Sequence, residues 1–93
     1  MNARERMKKT LRTMIRSADK GYIEPVFRLN DYYEKLVPEV YSEPRTQEDL
    51  DFDNCRQSAF FAAKYLKEGD TEMYKKFLSD AKERFPKLPE PED

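Results

Sequence analysis

The sequence predicts an all-α fold: a small bundle of three to four helices built on an antiparallel helical hairpin spanning about residues 46–68 and 70–85. Three observations lead there. Two glycines and few β-branched runs leave little material for strands and tight hairpins. Apolar residues recur at i, i+3, i+4 and i+7 over most of the chain. Helix-stopping residues, Gly21, Pro38, Gly69 and Pro86, fall between those periodic stretches.

In the first stretch Met7, Leu11, Met14, Ile15 and Ala18 form one apolar stripe, so a helix is expected from about Ala3 to Lys20, with Gly21 at its C′ position. Arg4, Lys8, Arg12, Arg16 and Lys20 recur at four-residue steps, with Arg6 and Lys9 nearby. They make a basic ribbon beside the stripe.

In the second stretch Pro25 can open a helix that carries Val26, Leu29, Tyr33, Leu36 and Val37. Pro38 should end it, because a proline lacks the N–H a helix interior needs. Residues 40–44 then read as a loop with Tyr41 tucked inward. Asn30-Asp31 offers an alternative, capping a shorter helix and leaving residues 22–30 extended.

The third helix starts at Thr46, a hydroxyl cap followed by Glu48 and Asp49 in the first turn. Phe52, Cys55, Ala59, Ala62, Ala63 and Leu66 line its inner face. Phe60 and Phe61 widen that face, so contact from two sides is expected. Asp70 or Thr71 caps the last helix, in which Met73, Phe77, Leu78, Ala81 and Phe85 face inward. Glu72–Lys76 and Asp80–Arg84 are i,i+4 pairs in the favourable order, worth about 0.3 kcal/mol each.

The 93 residues make one domain, assigned to residues 1–86, with 87–93 as a disordered tail rich in Pro and Glu. The apolar fraction is 38%, the charged fraction 40% and the mean hydropathy -1.05, close to the limit for a folded chain. Twelve periodically spaced aromatic residues argue for folding. The core is thin, so a partner or a second copy is expected to help complete it, and a homo-oligomer is one way to do so.

Net charge is -1 but segregated. Residues 1–20 carry seven basic and two acidic side chains, residues 21–55 three and nine, and residues 56–93 eight of each. The single cysteine, and the absence of both a membrane-length apolar run and a signal-peptide core, lead us to expect a cytoplasmic protein.

Function classes narrow by chemistry. Without histidine there is no His-activated nucleophile, and no glycine-rich loop cradles phosphate. Cys55 sits among alanines as a small core hydrophobe. Asp49, Asp51 and Asp53 match the opening of a calcium loop, but its sixth position is Asn54 and its twelfth Phe60, so the site lacks its turn glycine and bidentate carboxylate. No enzyme activity, metal or cofactor is expected. The basic ribbon can face acidic protein or nucleic-acid phosphates, but has no aromatic anchor for a membrane. Adjacent aromatics on a helix point about 100° apart, so at least one of each pair Tyr32-Tyr33 and Phe60-Phe61 is expected near the surface.

From Cys55 to Pro86 the hairpin resembles a single tetratricopeptide repeat. Ala62 and Ala81 match its small positions, Tyr65 its aromatic, Gly69-Asp70 its turn, Leu78 its large apolar position and Pro86 its terminator. Tyr74 departs from the pattern, which has alanine there. The resemblance implies an antiparallel hairpin and a protein-binding role.

The expected function is therefore a small non-enzymatic protein-binding module. It would be an adaptor or an inhibitor of a larger enzyme, such as one that processes nucleic acid, of the kind phages and mobile elements encode. Arg4, Lys8, Arg12, Arg16, Tyr32 and Phe61 are the expected contact residues. The alternative is a nucleic-acid-binding regulatory protein that uses the same basic helix.

Overall fold

A computed structural model describes residues 2–90. These form four helices, α1 (Ala3–Asp19), α2 (Ile23–Val40), α3 (Gln47–Lys67) and α4 (Thr71–Arg84), with a terminal 3₁₀ turn at Phe85–Lys87. The fold is all-α, as the sequence predicts.

Both hairpin turns use the same device. Gly21 (φ 79°) and Gly69 (φ 82°) occupy the left-handed region, which only glycine adopts without strain. Each sits in a paired hydrogen-bond pattern. Tyr22 N–H donates to the Ser17 carbonyl and Gly21 N–H to Ala18; Asp70 N–H donates to Tyr65 and Gly69 N–H to Leu66. These are Schellman motifs, which satisfy the last carbonyls of α1 and α3. A Cβ placed on Gly21 would lie 3.8 Å from Leu66, so the two turns meet at one end of the molecule.

The helix starts are equally local. The Asn2 side chain accepts from Glu5 N–H, and Asp70 from Met73 N–H. At Thr46 the capping box is complete: Asp49 N–H donates to the Thr46 hydroxyl, and Thr46 N–H to the Asp49 carboxylate.

The helix α2 departs from expectation at both ends. It begins at Ile23, before Pro25, and runs two residues beyond Pro38. Pro25 lies in the first turn, where its missing N–H has no intrahelical partner in any case. Pro38 is exposed and in the final turns, so its ring faces solvent, and Tyr41 N–H still closes on the Val37 carbonyl. Burial of Leu36 and partial burial of Val37 and Val40 hold the helix together through the proline. Asn30 is a buried residue inside α2, accepting from Arg56 at 3.3 Å, and does not cap a shorter helix. Tyr41 does turn inward, its hydroxyl 2.7 Å from that of Tyr33.

The densest packing is within the two hairpins, α3 on α4 and α1 on α2. Met7, Leu11, Met14 and Ala18 meet Val26, Tyr33, Phe52, Cys55, Ala59, Ala62 and Ala81 in one core. The alanines of α3 allow close approach of α4; the Cys55 thiol lies 3.6 Å from the Ala81 carbonyl. Tyr74, the departure from the repeat pattern, reaches out of the hairpin to donate to the Ala18 carbonyl at the end of α1. The Asp80–Arg84 pair forms at 2.7 Å.

The chain beyond Pro86 is not uniformly a tail. Lys87 belongs to the 3₁₀ turn and Leu88 is 5% exposed, packed into the core, so residues 87–90 form a strap over α1. Residues 91–93 of the expected tail lie outside the described residues. No helix among the described residues is long and apolar enough to cross a membrane.

Candidate partner-binding surfaces

The basic ribbon is interrupted at its start. Arg4 donates to Glu48 and to the buried Asp49, both at 3.1 Å, and its guanidinium lies over the Phe52 ring. Lys8 is 4% exposed. Its ammonium donates to the Leu88 and Pro89 carbonyls at 3.4 and 3.2 Å, pairs with Glu90 at 3.0 Å and lies over Phe85. These two expected contact residues join α1 to the start of α3 and to the strap. Lys8 is covered, and Arg4 is engaged with carboxylates.

The outward cations are instead Arg6, Lys9, Arg16 and Lys20, with half-buried Arg12 beside them. Positions 6, 9, 13, 16 and 20 alternate steps of three and four, which keeps them in one line, with Thr13 at its centre. Among the described residues, the ion pairs made by cations of α1 are those of Arg4 and Lys8. Next to the line runs a groove of about 240 Å³ lined by Arg12, Ile15, Arg16, Lys82, Phe85 and Pro86. Arg12 stacks over Phe85 at 5.5 Å, and Lys82 is paired with Asp19 at 2.6 Å.

Of the two expected aromatic contacts, Tyr32 stands by itself on α2, 42% exposed. Phe61 is at the centre of a chain of rings. Phe27 of α2 meets Phe60 at 5.4 Å, Phe60 meets Phe61 at 5.6 Å, and Phe61 meets Phe77 of α4 at 5.7 Å. Tyr65 stacks on Phe77 with 7° between planes. All five rings are half-buried, so both members of the Phe60-Phe61 pair reach the surface. Lys67 lies over Phe27 and Lys64 over Phe61. A groove of about 530 Å³ opens between Phe27, Phe60, Lys64, Lys67 and Glu68. A second, of about 330 Å³, is lined by Phe61, Tyr65 and Phe77 together with polar residues that include Ser58, Asp80 and Arg84. Burial pushes the Asp80 carboxyl up, but the Ser58 hydroxyl and Arg84 guanidinium outweigh it and hold it below its ordinary value.

Phe27 was not singled out from the sequence; Phe77 does pack against the core, as expected, but its ring also reaches the surface. Their spacing does mark them: 60, 61, 64 and 65 form the outward side of α3, opposite Cys55, Ala59 and Ala62, and any aromatic flanking that side extends it.

The remaining chemistry is internal. Among the described residues no group of three or more His, Cys, Asp or Glu side chains is gathered to hold a metal. In the calcium-like run, Asp49 accepts from Ser42 and Thr46 N–H, Asp51 from Gln47, and Asp53 from Arg56 and Gln57. Burial pushes the Cys55 thiol up to about 12, which keeps it un-ionised at neutral pH. Burial, with the neighbouring Tyr33 hydroxyl partly opposing it, pushes Tyr41 up to about 12 as well.

No family model matches the chain, and neither the curated proteins nor the solved structures give a significant match.

Proposed function

We propose that this chain is a small, cytoplasmic, non-enzymatic protein-binding module, an adaptor or an inhibitor of a larger enzyme, that engages its partner through the aromatic outer face of α3. One observation supports this reading above the others. Phe27, Phe60, Phe61, Tyr65 and Phe77 make a continuous half-buried surface across three helices, with Phe27 and Phe77 also packed against the core. Contiguous apolar surface rimmed by polar groups is what partner-binding sites present, and aromatic residues are their usual anchors. Lys64 and Lys67 sit on these rings and leave them with the apolar body and charged rim typical of an interface.

The test is affinity capture from the cells that make the protein, comparing the native chain with Phe61→Glu and Tyr32→Ala. Phe61→Glu should lose its partner by at least tenfold while Tyr32→Ala keeps it, because anchors at the centre of an interface carry about 2 kcal/mol or more. Circular dichroism establishes that both variants fold. Equal capture by the native chain and Phe61→Glu would remove this face from the reading.

A further inference from the structure

We infer that a second face of the molecule, the cationic line of α1 with its groove against Phe85, is a binding site for single-stranded nucleic acid. The two faces are separate. The groove beside the cations of α1 and the grooves of the aromatic surface share no lining residue.

The inference rests on three features found together. The first is unpaired charge in a line. Arg6, Lys9, Arg16 and Lys20 are exposed, and Arg12 lies at their side. No carboxylate pairs with any of the five among the described residues, although Arg4 and Lys8 on the same helix are fully engaged. From Arg6 to Lys20 the line runs about 21 Å, at about 1.5 Å per residue. A positively charged track of that length is the kind of surface that follows a strand's phosphate backbone.

The second is a slot of the right kind beside the line. Ile15, Phe85 and Pro86 give it an apolar lining, and Arg12 and Arg16 edge it. Its volume of about 240 Å³ is below the roughly 300–1,000 Å³ of pockets that enclose drug-sized ligands. It is an open surface groove with room for a small group such as one flat ring. Arg12 lies over the Phe85 ring at 5.5 Å, at the edge of the groove, where its guanidinium can meet the face of a base.

The third is what the line lacks. Its exposed members are Arg6, Lys9, Thr13, Arg16 and Lys20, with no apolar side chain among them. Insertion into a bilayer needs such a side chain. An acidic protein would satisfy the charges and could place an aromatic side chain in the slot, so it is the rival that the polyglutamate arm of the test separates. A duplex keeps its bases stacked and cannot fill the slot. A strand with splayed bases satisfies both the line and the slot.

The experiment is fluorescence anisotropy on the full chain at about 50 and 200 mM salt, where counterion release separates charged modes of binding. The probes are a labelled 12-nucleotide single strand, its duplex, a free mononucleotide and a polyglutamate peptide. The single strand should bind most tightly. With four to five phosphates neutralised, its log–log salt slope should be about -3, at about -0.7 per phosphate. Lys9→Ala/Arg16→Ala, which removes side chains with no internal partner, should reduce that slope to about -1.6 without changing thermal stability. Arg12→Ala should weaken the strand at least tenfold and the duplex less.

Four outcomes would each overturn the inference: no strand binding at the lower salt, a duplex bound as tightly as the strand, polyglutamate competing equally, or a free nucleotide matching the strand. Phe61→Glu should leave strand binding unchanged, so this site and the aromatic face fail or stand separately.

Discussion

Asp49 is a fully buried carboxylate that organises the junction between α2 and α3. Its oxygens accept from Ser42 N–H at 2.9 Å, Thr46 N–H at 3.0 Å and Arg4 at 3.1 Å, while its own N–H completes the cap on Thr46. Burial alone would raise its pKa. The donors from Ser42, Thr46 and Arg4 outweigh burial and hold it below the ordinary 3.8. A carboxyl depressed in the folded state stabilises the fold fully above its unfolded value, and that stabilisation is lost as pH falls through the folded value. Asp49→Asn should therefore cost about 2–3 kcal/mol at pH 7, the range for breaking a buried charge-assisted network. Denaturant melts at a series of pH values should show the native and variant curves converging in acid. A constant difference across pH would mean that the side chain's shape, not its charge, is what matters.

At the scale of the helix, Gly69 isolates a single backbone requirement. It sits at φ 82° with nothing within 4 Å of where a Cβ would be. Gly69→Ala should cost about 1 kcal/mol through backbone strain alone, measurable in equilibrium unfolding and with no change in partner binding. Such punctuation was readable from the sequence. Gly21, Gly69, Asp70 and Thr46 each act within four residues of themselves, so they set the helix ends wherever the rest of the chain lies. Pro38 misled because the penalty for proline depends on depth in the helix and on which side faces water, and both are set by packing. The ribbon misled for a related reason. A helical projection assigns Arg4 and Lys8 a direction but cannot show that Asp49 or the strap at Leu88 lies in that direction, 45 and 80 residues away. Phe61 was legible as a surface aromatic; its neighbours Phe27 and Phe77 come from other helices and needed the fold.

At the scale of the molecule, two hairpins lie side by side with both glycine turns at one end, and the strap crosses α1 near the other. Leu88 is the strap's one buried side chain. Leu88→Ala should lower global stability by about 2 kcal/mol, at the lower end of what loss of a buried leucine costs, because the site lies at the edge of the core and can relax. Denaturant titration measures it; a change under about 0.5 kcal/mol would show that the strap contributes little.

That strap also implies an order of events. Contacts inside each hairpin join residues close in sequence, whereas Lys8 to Leu88 closes nearly the whole chain, and loop closure of that length comes late in folding. Segments fixed by few contacts also open first under native conditions. The amide of Leu88, bonded to the Phe85 carbonyl, should then exchange its hydrogen well before those of Ala59 and Ala62 in the middle of α3. Each such opening would uncover Lys8 and its side of the Phe85 ring, adding a sixth cation and more aromatic surface to the face of α1 while both hairpins stay closed.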